Sequence, residues 1–189
     1  MVPSRLVSLL QAPLLLLALA AGCGAPRPYG EGVALHTLFE AGGRVLDRDD
    51  LDGGAAYALE LVTLERSSGW GYEGGWTVAA EDAGGARDLE AEFDELHLGL
   101  RRTFSADQTM RPYFGFGGAF TRLVRELESP ELTVTEDGGA AYLHAGILWA
   151  VGRFQLERGN DLLLGFDLKG LVGNDYDTLQ LALVLGAGG

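Results

Sequence analysis

The sequence predicts an all-β chain: an eight-stranded antiparallel up-and-down β-barrel that follows an N-terminal signal peptide. Three observations predict it. Apolar residues alternate with small or polar ones over many short segments, turn-rich stretches separate those segments at regular spacing, and the chain opens on a short apolar leader. No segment shows a convincing helical period.

The leader comes first. Arg5 supplies the charged start, Leu6, Val7, Leu9, Leu10 and the run from Leu14 to Ala21 the apolar core, and Ala20, Ala21 and Gly22 the small residues of a cleavage site. The apolar run is shorter than the roughly 20 residues a membrane helix needs, and Pro13 interrupts it. The expected division is 1–22 signal peptide, 23–32 tether with Pro26 and Pro28, and 33–189 barrel domain. Cys23 is the single cysteine, which excludes a disulfide framework and a cysteine metal site. The segment Leu19-Ala20-Ala21-Gly22-Cys23 resembles the bacterial lipobox, with its large apolar residue one position further from the cysteine than is usual. The resemblance implies lipidation at Cys23, which becomes the mature N-terminus. Gly24, where Asp favours inner-membrane retention, implies the outer membrane.

Eight strands follow in order. Leu35, Phe39 and Val45 oppose His36, Glu40 and Arg44. Tyr57, Leu59 and Leu61 oppose Ala58 and Glu60. Trp70, Tyr72, Trp76 and Val78 oppose Glu73, Gly75 and Thr77. Leu96, Leu98 and Leu100 oppose Glu95, His97, Gly99 and Arg101. Phe114, Phe116, Gly118 and Phe120 oppose Tyr113, Gly115, Gly117, Ala119 and Thr121. Leu143, Ala145, Ile147, Trp149 and Val151 oppose Tyr142, His144, Gly146 and Ala150. Leu162, Leu164, Phe166 and Leu168 oppose Gly165, Asp167 and Lys169. Leu179, Leu181, Leu183 and Leu185 oppose Thr178, Gln180, Ala182 and Val184. Each is the two-residue period of a strand with one greasy face.

The composition of the other face decides which way that greasy face points. It is rich in Gly and Ala, which suits a crowded interior. It also carries charges of both signs, Glu40, Glu60, Glu73, Glu95 and Asp167 with Arg44, Arg101 and Lys169, and all three histidines, His36, His97 and His144. A solvated surface would be studded with Lys, and the chain has one. The expectation is therefore a membrane barrel with the greasy face toward lipid and a packed polar interior. Tyr57, Trp70, Tyr72, Trp76 and Trp149 fit an interfacial girdle.

Loop lengths agree. With both ends of an even-stranded barrel on one side, the periplasmic side for a lipidated N-terminus, the connections Asp47–Gly54, Ala80–Glu92, Glu126–Gly139 and Gly173–Asp177 face out. Apart from the last they are long, whereas Arg66–Gly69, Ser105–Met110 and Glu157–Asn160 are short. The four outer segments together carry a net charge of about −14, against −13 for the whole chain. That charge excludes a general nucleic-acid binder, which meets phosphates with basic patches.

Arg111-Pro112-Tyr113-Phe114-Gly115-Phe116-Gly117-Gly118-Ala119-Phe120, Gly146-Ile147-Leu148-Trp149 and Leu162-Leu163-Leu164-Gly165-Phe166-Asp167-Leu168-Lys169 resemble small outer-membrane barrels of the OmpA/OmpX type. The resemblance covers the last third to half of the chain well and implies eight strands around a packed polar core rather than an open pore. A departure is the ending Leu185-Gly186-Ala187-Gly188-Gly189, where such barrels carry an aromatic residue.

Chemistry is sparse. Some barrels of this kind act on lipid A with a Ser two residues after a His; here His97 is followed by Leu98-Gly99 and His144 by Ala145-Gly146. Ser67, Ser68 and Ser105 sit in turns, and no Ser-His-acid set has the spacing of nucleophilic catalysis. The spacing of the three histidines specifies no metal site, and no cofactor is expected. The Asp-rich stretch Asp47–Gly54 offers hard oxygen ligands for divalent cations but lacks the spacing of an EF-hand loop. The expected function is a non-enzymatic outer-membrane barrel, structural or surface-interacting, with membrane lipid as its partner and acidic loops outward. The alternatives are a lipid-tethered soluble barrel of lipocalin type binding an apolar ligand, and a lipid-modifying enzyme.

Overall fold

A computed structural model describes residues 32–47, 54–82, 90–106, 108–128, 131–154, 160–173 and 177–189. Cys23 and the expected signal peptide lie outside the described residues, as does most of the tether. Eight strands form in chain order: β1 (Val33–Asp47), β2 (Gly54–Glu65), β3 (Trp70–Asp82), β4 (Glu90–Thr103), β5 (Met110–Glu128), β6 (Glu131–Phe154), β7 (Asn160–Gly173) and β8 (Asp177–Gly188). Each pairs antiparallel with its sequence neighbours, and β1 pairs with β8 from His36↔Gly188 to Asp47↔Asp177, closing the barrel.

Both ends of the barrel chain, at Val33 and Gly188, lie at one rim, called here the near rim. The facing ends of β2 and β3, of β4 and β5, and of β6 and β7 share that rim, and those of β1 and β2, β3 and β4, β5 and β6, and β7 and β8 mark the far rim. At the near rim the β2–β3 turn closes on Gly69, whose φ of 72° is one a side chain resists. Its N–H bonds Glu65 O at 2.8 Å, and Ser68 donates to the Glu65 carboxylate at 2.7 Å.

The two-residue periods become the two faces of the wall. Leu179, Leu181, Leu183 and Leu185 point out and are about half exposed, while Thr178, Gln180, Ala182 and Val184 are buried. The same holds round the barrel: Leu96, Leu98, Phe116, Phe120, Leu143, Phe166 and Leu168 are exposed on the outer face. On β4 this belt runs between Asp94 and Arg102. Eight residue steps along a strand tilted about 40° span roughly 20 Å of height. Aromatic residues mark its edge at the near rim. Trp70 and Phe104 each lie 5.9 Å from Phe114, and the Arg102 guanidinium sits 5.3 Å from the Trp70 ring centre.

One segment departs from the sequence expectation. Glu126–Gly139 is not an outer loop: β5 runs on to Glu128 and β6 starts at Glu131, and the two pair down to Glu128↔Glu131. β6 is 24 residues long, whereas β7 and β8 have 14 and 12. The expected short connection Glu157–Asn160 also begins earlier, since β6 ends at Phe154. Ladder bonds outweigh the turn-like composition here; the β-branched run Thr133-Val134-Thr135 suits a strand.

Candidate functional site

Inward positions stack in three layers. Toward the far rim lies an apolar cluster of Ala56, Ala79, Ala91, Phe93, Leu123, Tyr142 and Leu171. Toward the near rim lies a second, of Leu38, Val62, Tyr113, Leu148, Leu163 and Val184. Charged and polar side chains fill the space between. Charge is thus concentrated in the middle of the packed polar interior that the sequence suggests, with Arg44 and His36 nearer its two ends. Leu163, Leu148 and Leu38 explain it: they share the parity of the charged residues and so face inward with them.

All eleven charged or imidazole residues expected inside are buried: His36, Glu40, Arg44, Glu60, Glu73, Glu95, His97, Arg101, His144, Asp167 and Lys169 are each 4 % exposed or less. Eight of them meet in two bonded chains. In the first, Tyr113 donates to Asp167 at 2.7 Å, Asp167 meets His144 Nδ1 at 3.0 Å, His144 Nε2 meets Glu73 at 2.9 Å, and Tyr142 donates to Glu73 at 2.8 Å. In the second, Arg101 Nη1 donates to Glu60 at 2.8 Å, Glu60 meets His97 Nε2 at 3.3 Å, and Lys169 bonds both His97 Nδ1, at 3.0 Å, and Glu95. The two chains touch through Arg101, whose guanidinium carbon lies 3.4 Å from the Tyr113 ring centre.

Three expected members stand apart from these chains. Arg44 reaches toward the far cluster, its guanidinium carbon 3.5 Å from the Phe93 ring centre. The His36 ring covers Gly188 near the other rim, and Glu40 lies between them on the β1 wall.

Charge burial of this kind costs desolvation that only close pairing offsets. The carboxylates of the two chains meet cations, imidazoles or phenols, and the small residues of the inner face make the room. A Cβ on Gly115 would collide with His144 Nε2 and the Glu73 carboxylate, one on Gly99 with the Tyr142 hydroxyl, and one on Gly146 with the Tyr113 ring. Arg101 Nη2, Thr77 Oγ1 and Gln180 Nε2 are buried without a hydrogen bond to a described group.

Sequence reasoning left out the two tyrosines as network members. Tyr113 and Tyr142 belong to the apolar clusters by their rings and to the polar layer by their hydroxyls, so they join the layers. Their parity, shared with Gly115 and His144, is the signal that could have placed them. Also missed is the near-rim pair Arg111–Asp161 at 2.5 Å, where Arg111 donates as well to Gln108 O at 2.8 Å.

Glu60, Glu73 and His144 bring ligand atoms within 4.8 Å of one another. Glu60 is met by Arg101 and His97, and Glu73 by Tyr142 and His144, so the three sit within the hydrogen-bonded network. The residues between Asp47 and Gly54, whose carboxylates offer ligands for divalent cations, lie outside the described residues.

No protein-family model matches the chain, and no curated protein matches it. Solved structures do. Ail, the attachment invasion locus protein of Yersinia pestis, superposes with a TM-score of 0.60 at 11% identity, over 85% of this chain and 100% of that one. Neisserial surface protein A gives 0.55 at 10% identity, over 83% and 97%. The N-terminal β-barrel domain of Pseudomonas aeruginosa OprF gives 0.54 at 13%, over 82% and 97%. Ail has also been solved with the heparin analogue sucrose octasulfate. At these identities the likeness is one of fold, that of the small outer-membrane barrels.

Proposed function

We propose that the chain is an integral outer-membrane barrel with a structural or surface-interaction role, its near rim and N-terminus in the periplasm and its far rim outside. The observation that carries the reading is the exposed belt centred on Leu98, 71 % exposed, set opposite a buried layer of charge. A soluble barrel places these faces the other way round, because water penalises apolar surface and rewards charge. The belt is close to the apolar height of about 25 Å found in outer-membrane barrels.

The lipocalin-type alternative loses its basis with the greasy face outside. An enzymatic role also lacks support. Both ring nitrogens of His144 meet carboxylates, and those of His97 meet carboxylates and Lys169, so neither imidazole is placed as the base of a serine or cysteine nucleophile. Nor does heparin-like binding transfer from Ail, since the far-rim segments of this chain are strongly acidic. Lipidation at Cys23 would hold the near rim at the periplasmic leaflet.

Detergent-refolded protein should run faster on a gel unheated than boiled, and cell membranes should retain a Cys23→Ala variant through a carbonate wash. Release of that variant as soluble, compact protein would overturn the reading.

A further inference from the structure

β6 overreaches its neighbour. Its pairing with β7 starts at Ala140↔Gly173, and β7 ends there. β8 returns at once, with Asp177 already opposite Val172. Glu131–Gly139 is therefore held by β5 on one side, and among the described residues no strand pairs with it on the other. Nine residues of extended chain at about 3.4 Å each give an open edge of roughly 30 Å.

Open edges are templates for strand addition, and proteins blunt them with charged side chains (lysine above all), proline, bulges or short length. Of these the edge carries charge alone, and all of it is negative. Thr133-Val134-Thr135-Glu136-Asp137-Gly138-Gly139 contains neither Lys nor Pro, and the bulge of β6 lies far off at Ala150/Gly152. Gly138 and Gly139 carry no side chain to hinder approach. Thr133, Thr135 and Asp137 are exposed.

Charge selects the occupant. The strand ends and connections of the far rim are acidic in sequence, and on this hairpin Glu126, Glu128, Glu131, Glu136 and Asp137 outnumber Arg125 and Arg122, the latter paired with Asp137 at 2.8 Å. A second copy would bring the same negative field to the edge, and like charges across a new pair are unfavourable. A cationic strand meets opposite charge while its backbone completes the ladder.

We infer that the edge Glu131–Gly139 is a docking site for an extended, Lys- or Arg-rich polypeptide segment, which joins the sheet as an added strand beside β6. The inference deepens the surface-interaction role and rests on it for its setting outside the cell. The edge itself exists in any medium where the barrel folds.

The test uses the full chain in detergent micelles. The probe is a fluorescent peptide of alternating Lys with Thr or Val, compared with its Glu counterpart and with a form N-methylated at alternate residues. The Lys peptide should bind, at least tenfold more tightly than either control, more weakly as salt rises, and with slowed amide exchange confined to 131–139. Thr133→Pro and Val134→Pro, which between them remove an outward N–H whichever way the strand is phased, should include one that weakens binding at least tenfold while gel heat-modifiability persists. Equal binding of the N-methylated peptide, binding unaffected by both proline variants, or protection elsewhere would overturn the inference. So would edge-to-edge dimers, which make the occupant a second copy. A failed gel shift would instead count against the membrane reading, so the two failures are distinguishable.

Discussion

His144 shows how closely individual side chains are matched inside the barrel. It bridges Asp167 on β7 and Glu73 on β3, and each carboxylate is met again by a tyrosine hydroxyl. His144→Phe keeps the ring volume and removes both bonds. Two buried carboxylates then lose a partner, a change expected to cost about 3–5 kcal/mol, read from urea unfolding of the refolded barrel in micelles. A cost below about 1 kcal/mol would show that water or neighbouring groups take over the role. The sequence discloses the inward direction of His144, because Leu143 and Ala145 on either side carry the opposite character. It does not disclose the partners. Glu73 and His144 lie 71 positions apart on strands separated by two others, and the strand tilt that levels them follows from the whole barrel's stagger, not from any local pattern.

Among the elements, the β5–β6 hairpin is the one whose length escaped sequence reasoning. Within the lipid belt the period is enforced by apolar surface, and Phe114, Phe116 and Phe120 make it visible. Beyond the belt Thr133, Thr135 and Asp137 are exposed without being apolar, so no greasy face announces a strand, and Ser129-Pro130 with Gly138-Gly139 reads in sequence as loop. Only the Thr133-Val134-Thr135 run hints at the outcome. Its energetics separate from the barrel accordingly: on β5, Leu123 is the last residue known to pack into the interior clusters. Replacing Glu126–Thr133 by an Asn-Gly turn, closed by the Arg125↔Val134 pair, should leave the unfolding free energy within about 1 kcal/mol, measured by the same urea titration, and should weaken binding of the Lys peptide, whose edge shortens to residues 134–139. A barrel that no longer refolds would show that the extension nucleates the β5–β6 pairing.

For the molecule as a whole, the decisive property is which medium wets the belt. Leu98→Arg sets a charge midway between Asp94 and Arg102. In phospholipid vesicles it should cost roughly 2–4 kcal/mol, as for arginine at the mid-depth of a barrel wall. A water-washed surface would register less than about 0.5 kcal/mol. Comparison with an Arg substitution at Thr135, above the belt, separates depth from the mere presence of charge. At this scale the sequence was most readable: strand number, facing and the acidic far rim all follow from parity and composition. What it left hidden is the division of the interior into apolar, polar and apolar layers, since inward leucines such as Leu148 and Leu163 are indistinguishable by type from their outward neighbours.

The pairing of β1 with β8 carries a further consequence, for the order of events during biogenesis. Lys169 on β7 bonds Glu95 on β4, 74 positions away, and so spans opposite walls. While the first and last strands remain apart, such a link has no fixed geometry, and the charges meant for the lumen face whatever lies beside a half-made sheet. Non-local contacts of this kind form late because the chain must first lose the entropy of a long loop. The seam therefore acts as a commitment point. Before it closes, insertion into lipid is opposed by unsheltered charge. Once it closes, every ion pair in the lumen becomes a lock on the finished wall.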